Sequence, residues 1–248
     1  MNQQQLKDGY SHLYKFFSGI PECVFWDFLG EDNFLPNDAN EIFQFVDLLS
    51  TDNKFVIKEK FRNLKNDKES FFDYFTEISI AYKFRSYHPE FIQAANNVAK
   101  PDLKVKIQEA PVYIEVTRAG AKRSAKERKT RKQLLQSEGE MFDVTGPTEG
   151  TFENFLNKSR EKVRQFSDIG KGALKLIVVV SDRGYTTDLS YFDDKDRKDM
   201  IEKDPMLQTI DGLLVINKCE KQHRVISLSQ KFEKIEGIID VIFAKDEF

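Results

Sequence analysis

Between residues 103 and 116 the chain alternates twice with a period of two. Leu103, Val105 and Ile107 are separated by lysines, and Val112, Ile114 and Val116 by Tyr113 and Glu115. That period belongs to a strand with one buried face. The connector Gln108-Glu109-Ala110-Pro111 is too short for a crossover, so the two runs read as an antiparallel hairpin. A turn centred on Glu109-Ala110 pairs Ile107 with Val112, Lys104 with Glu115 and Asp102 with Thr117.

The flanking segments have other periods. Residues 1–66 read as helical, with Asn37-Asp38 offering a cap before a helix over 39–50 and a weaker helix over 54–64. Asn66-Asp67 separates this region from a strong helix over 69–85. Residues 151–168 form an amphipathic helix stopped by Gly170 and Gly172, and 174–180 a buried strand. Further strands are expected at 213–217, 225–228 and 238–244, with an acidic helix or loop over 182–206. The order predicts an α/β fold: a mixed sheet flanked by helices, in a unit spanning 67–248, preceded by a helical region over 1–66.

Composition narrows the function. The net charge of −3 makes no general case for a polyanionic partner, so any nucleic-acid surface must be a local cluster. Two distant cysteines, Cys23 and Cys219, have no zinc spacing and suggest no disulfide framework. The polar start and the shortness of the longest apolar run, 176–180, argue against a signal peptide or a membrane span. A cytoplasmic location with no membrane partner is expected. No glycine-rich phosphate loop or nucleophilic triad is present.

The polar face of the hairpin carries the chemistry. Asp102, Lys104, Glu115 and Thr117 share it, opposite the apolar side chains. In the expected register Asp102 and Glu115 are diagonal neighbours, with Cβ atoms about 7 Å apart or less. Two carboxylates can close that gap around Mg2+. Upstream, Glu77 lies at the edge of the stripe Phe71, Tyr74, Phe75, Ile78 and Tyr82, where it can supply a third acidic ligand. Directly after the second strand comes a basic stretch of Arg118, Lys122, Arg123, Lys126, Arg128, Lys129, Arg131 and Lys132, interrupted by one acid, Glu127. Such a run is commonly a solvated face; beside metal ligands it reads as phosphate-binding.

Pro101-Asp102, Glu115-Val116-Thr117, the upstream Glu77 and a later helix bearing Lys158, Lys162 and Gln165 together resemble the PD-(D/E)xK, or restriction-endonuclease-like, nuclease superfamily over residues 69–181. The resemblance implies a mixed sheet flanked by helices and hydrolysis of nucleic-acid phosphodiesters with Mg2+ or Mn2+. It implies metal ligation by Glu77, Asp102, Glu115 and the Val116 carbonyl. It also favours DNA over RNA, endonuclease action, a prokaryotic or phage defence or restriction setting, and a homodimer as one arrangement that cuts both strands. One position departs from the pattern: Thr117 stands where the superfamily has lysine, and a hydroxyl cannot offset charge as a cation does. Lys162 is the leading substitute, with Lys158 on the same helix and Lys104 on the hairpin as the others. The alternative is a catalytically inactive nuclease fold that binds nucleic acid or regulates. A weaker likeness is to viral cap-snatching RNA endonucleases, which place a histidine ahead of the first acid; none of His12, His88 and His223 is so placed. A third class is an interaction protein whose N-terminal helices bind a partner.

Overall fold

A computed structural model of the chain describes residues 3–28, 38–62, 64, 67–93, 99–119, 149–181, 189–218 and 221–244. N-terminal helices precede a six-stranded mixed sheet with helices on both faces. The helices are α1 (Gln3–Gly9), α2 (Ser11–Ser18), α3 (Ala39–Leu48), α4 (Thr51–Arg62) and α5 (Lys68–Lys83). They are followed by β1 (Glu90–Phe91), β2 (Leu103–Ile107), β3 (Ala110–Arg118), α6 (Glu149–Lys162) and β4 (Leu174–Ser181). The chain continues through α7 (Lys195–Glu202), β5 (Gly212–Asn217), β6 (Gln222–Ser227) and α8 (Gln230–Ala244). The strands lie in sequence order, with β3, β4 and β5 mutually parallel and the other pairs antiparallel. No helix among the described residues is long and apolar enough to cross a membrane.

The hairpin exists in a tighter register than the sequence suggests. Ile107 pairs with Ala110, Val105 with Val112 and Lys104 with Tyr113, so Gln108 and Glu109 alone make the turn. Both have positive φ, 47° and 65°, as a two-residue type I′ turn requires. A shift of two residues keeps every side chain on its face, and the step after the Leu103–Ile114 pair brings Asp102 opposite Glu115, where the sequence set it opposite Thr117 with Glu115 on the diagonal.

The core fills both faces of the sheet. On one face Leu103, Val105, Ile107, Val112, Ile114, Leu176 and Val178 pack against α5, α8 and the N-terminal helices. The buried residues of α1–α4 therefore share one continuous apolar core with the sheet. Its centre is aromatic: the rings of Phe17 and Phe25 stack with centroids 4.0 Å apart, and Phe61 of α4 meets Phe71 of α5 edge-on at 5.3 Å. On the other face Ile177, Val179, Leu213 and Val215 pack against Phe152, Phe155 and Leu156 of α6.

Local chemistry sets the helix starts. Asp67 accepts the Ser70 amide at 3.1 Å and caps α5. Ser229 Oγ accepts the Phe232 amide at 3.3 Å while donating to Asp211 Oδ1 at 2.7 Å, which fixes the start of α8. The strand expected at 238–244 is instead the end of α8. Phe232, Ile235, Ile239 and Phe243 are its buried residues, at spacings of three and four, so the helical period starts upstream of the dense apolar run.

Candidate functional site

The carboxylates and lysines meet where the hairpin opens, between the two helical layers. Asp102, just before β2, is held by β3: its amide donates to Ile114 O at 3.0 Å, and its Oδ2 accepts the Val116 amide at 3.0 Å. Glu115 lies in β3 and is 2 % exposed. Glu77 comes from α5, and Lys162 is the last residue of α6, on the opposite face of the sheet. All four line one cleft of about 300 Å³, with Thr117, Val116, Arg118, Gln165, Tyr74 and Lys100 among its walls.

Two ammonium groups are threaded between the acids. Lys162 Nζ donates to Glu115 Oε1 at 2.6 Å. Lys60 Nζ donates to Glu77 Oε2 and, at 3.2 Å, to Asp102 Oδ1. Lys60 belongs to α4, where Ile57 and Phe61 are the buried residues. One residue of helix rotates the side-chain direction by about 100°, so the position before Phe61 sits at the edge of the buried face, towards α5. The Lys60 ammonium also lies 5.3 Å from the Tyr74 ring centroid.

The electrostatics follow from burial and the count of charges. Burial, then Asp102, pushes the Glu77 carboxyl up to about 8, with Lys60 acting in the other direction. Burial and Asp102 likewise push Glu115 well above the usual carboxyl range, against the pull of Lys162. Burial works to discharge Lys60, but Glu77 and Asp102 outweigh it and hold the ammonium charged. Glu115 does the same for Lys162. Three acids thus face two ammoniums, and the excess acid is relieved by a proton or by another cation.

The donor set suits a divalent cation. Glu115 Oε2 is buried and has no hydrogen-bond partner, a costly state for a carboxylate oxygen that a cation would relieve. The ligands on offer are oxygens, the choice of Mg2+ and Mn2+ over softer metals. Among the described residues, however, no three His, Cys, Asp or Glu side chains are already arranged to hold a metal ion. Glu77, Asp102 and Glu115 converge on one cleft, with Lys60 and Lys162 interposed between them.

The remaining candidates divide by position. Thr117 and Gln165 line the cleft. Lys158 pairs with Glu161 at 2.6 Å and opens into an adjoining recess shared with Lys162 and Arg118. Lys104 stands opposite Tyr113 and bonds Glu90 of β1 at 3.0 Å, so the register shift removes it from Glu115. Arg118, expected as a phosphate contact, is buried. Its Nη1 lies 3.2 Å from Asp73 Oδ1, and its guanidinium sits 5.3 Å from the Phe72 ring centroid. Lys122, Arg123, Lys126, Lys129 and Lys132 lie outside the described residues. Sequence reasoning missed Lys60 and Lys100. Lys60 has no local signal, since only the packing of α4 on α5 brings it to the acids.

No family model matches the chain, and no curated protein or solved structure is significantly similar to it.

Proposed function

We propose that the protein is a metal-dependent nuclease of the PD-(D/E)xK type, hydrolysing phosphodiester bonds of nucleic acid, with DNA the favoured substrate. The reading extends to a cytoplasmic endonuclease of prokaryotic or phage defence, on the strength of the resemblance alone. The observation that carries the proposal is the convergence of Glu77 of α5, Asp102 just before β2, Glu115 of β3 and Lys162 of α6 on one cleft where a buried Glu115 oxygen is unpartnered.

Asp102 and Glu115 would hold Mg2+ or Mn2+, with Glu77 and the Val116 carbonyl completing the shell. When bound, the cation supplies an activated water and charge neutralisation at the scissile phosphate. The Val116 amide fixes the Asp102 carboxylate, so that ligand is positioned before any substrate arrives. Lys162 takes the role of the cation that Thr117 cannot supply. It approaches from the other side of Glu115 and remains charged throughout the working pH range. Its place at the C-terminal end of α6 favours a cation as well.

The test is incubation of the purified protein with plasmid, linear DNA and RNA, with and without Mg2+ or Mn2+. Cleavage is expected only with the cation, and Asp102→Ala or Glu115→Ala is expected to abolish it in folded protein. Full activity in either variant removes that residue from the mechanism. One observation favours a second reading, an inactive nuclease fold that binds nucleic acid. Lys60 and Lys162 already neutralise most of the acidic charge, in a chain that carries Thr117 at the motif position. Nucleic-acid binding in EDTA, with no cleavage under any cation, would select that reading.

A further inference from the structure

We infer that Lys60 is a built-in competitor for the divalent cation: its ammonium holds the position between Glu77 and Asp102, and must leave for a metal ion to bridge them. The inference rests on the metal-dependent reading above. Three observations support it. First, Lys60 Nζ contacts both carboxylates at once, donating to Glu77 Oε2 and to Asp102 Oδ1, as a bridging cation would. Second, Lys162 is committed elsewhere, to Glu115 Oε1, so the two ammoniums divide the acids between them. Third, Glu115 Oε2, buried at the same cleft, has no partner, so the lysines do not saturate the available oxygens.

The geometry also supplies a route out. The Lys60 side chain is 23 % exposed, against 9 % for Glu77, and it lies over the Tyr74 ring. Rotating four flexible carbons moves the charge towards solvent, whereas the carboxylates are fixed by a helix and a strand. Lys60 would therefore set how much free cation is needed to assemble the site, and the strength of its two ion pairs is the setting. A lysine brought from α4 thus makes the N-terminal helices part of the metal-binding equilibrium.

The experiment is Mn2+ binding to the full chain, followed by electron paramagnetic resonance or calorimetry, for the wild type, Lys60→Met and Lys60→Arg. Folding is checked by circular dichroism. Lys60→Met keeps the apolar stem and removes the charge. It is expected to bind Mn2+ about tenfold more tightly or better, while Lys60→Arg, still charged, binds no more tightly than the wild type. Equal or weaker binding in a folded Lys60→Met overturns the inference and leaves the nuclease reading standing. No Mn2+ binding in any of the three overturns both. A second measurement needs no variant: acylation of lysine amines, read by peptide mass spectrometry, with and without saturating Mn2+. Lys60 is expected to label faster with the cation, while the exposed Lys15 does not change. Labelling of Lys60 that does not respond to the cation also overturns the inference.

Discussion

Lys162 Nζ lies 2.6 Å from Glu115 Oε1, although the two residues belong to a helix on one face of the sheet and a strand within it. In the proposed nuclease reading, where Glu115 would be a metal ligand, a cation at that distance is placed to act on charge that develops during hydrolysis. Lys162→Ala is expected to slow the chemical step by about 10²–10³-fold, measured in a single turnover, with little change in substrate affinity. Lys158→Ala, which removes only a pair with Glu161, is the milder control. A neutral Lys162→Ala would transfer the role to another lysine, and Lys60 would be the next to test.

The helix that carries Lys162 is anchored two residues earlier. Arg160 Nε meets Asp204 Oδ2 at 2.7 Å, and Asp204 Oδ1 also accepts the Met206 and Leu207 amides. Burial pushes the Asp204 carboxyl up, but Arg160 and the two amides outweigh it, and the net position is below the usual range. A carboxyl so depressed stabilises the fold above its ordinary pKa, and the stability is lost as the pH falls through its folded value. Asp204→Asn is expected to cost about 1–3 kcal/mol at neutral pH, and the gap to wild type to narrow in acid. Thermal melts across that range would show it; a constant gap would exclude ionisation as the source.

Two glycines should respond to alanine with opposite signs. At Gly212, at the start of β5, a Cβ would stand 2.3 Å from Cζ of Phe232, a ring with no exposed surface. Gly212→Ala is expected to destabilise by about 1–3 kcal/mol through overpacking. At Gly237, inside α8 and exposed, a Cβ meets nothing within 4 Å. Gly237→Ala should stabilise by about 0.5–1 kcal/mol through helix propensity. Denaturant midpoints decide both; a stable Gly212→Ala would mean that the Phe232 ring can move aside.

The basic stretch gives a test of its own. If Lys126, Lys129 and Lys132 each contact a phosphate, their joint replacement by Gln should flatten the salt dependence of DNA binding by about 2–3 units of log–log slope. Binding in Ca2+ across a salt series measures this. An unchanged slope assigns these lysines to a solvated face.

The hairpin, its polar face and the acids it presents were legible because alternation is a local property. The register was not, since nothing in Gln108-Glu109 announces a turn with two positive φ angles, which Asn-Gly or Asp-Gly would have signalled. The end of α8 was misread because Ile238, Ile239, Val241 and Ile242 form a dense β-prone run, while the buried spacing starts at Phe232. Arg118 reads as the first member of a basic run, yet the acids that neutralise it, Asp73 and Glu69, lie on α5, far upstream in the chain. Lys60 was hidden for the same reason. Its partners are defined by one helix packing on another, and a single sequence does not display that.

The pairing of β3 with β4 sets Val112 opposite Leu174, with α6 carried in the chain between them. Closing a long loop costs more entropy than closing a two-residue turn, so local pairings lead and distant ones follow. Loop entropy therefore predicts that the β2–β3 hairpin is complete before β4 docks, with Asp102 and Glu115 facing one another before Lys162, carried by α6, arrives. Pulsed hydrogen exchange during refolding is expected to protect the amides of β2 and β3 ahead of those of β4 and β5; simultaneous protection would refute this order. In that predicted order Glu115 would wait without its Lys162 counter-charge, open to whatever cations the surrounding solution holds.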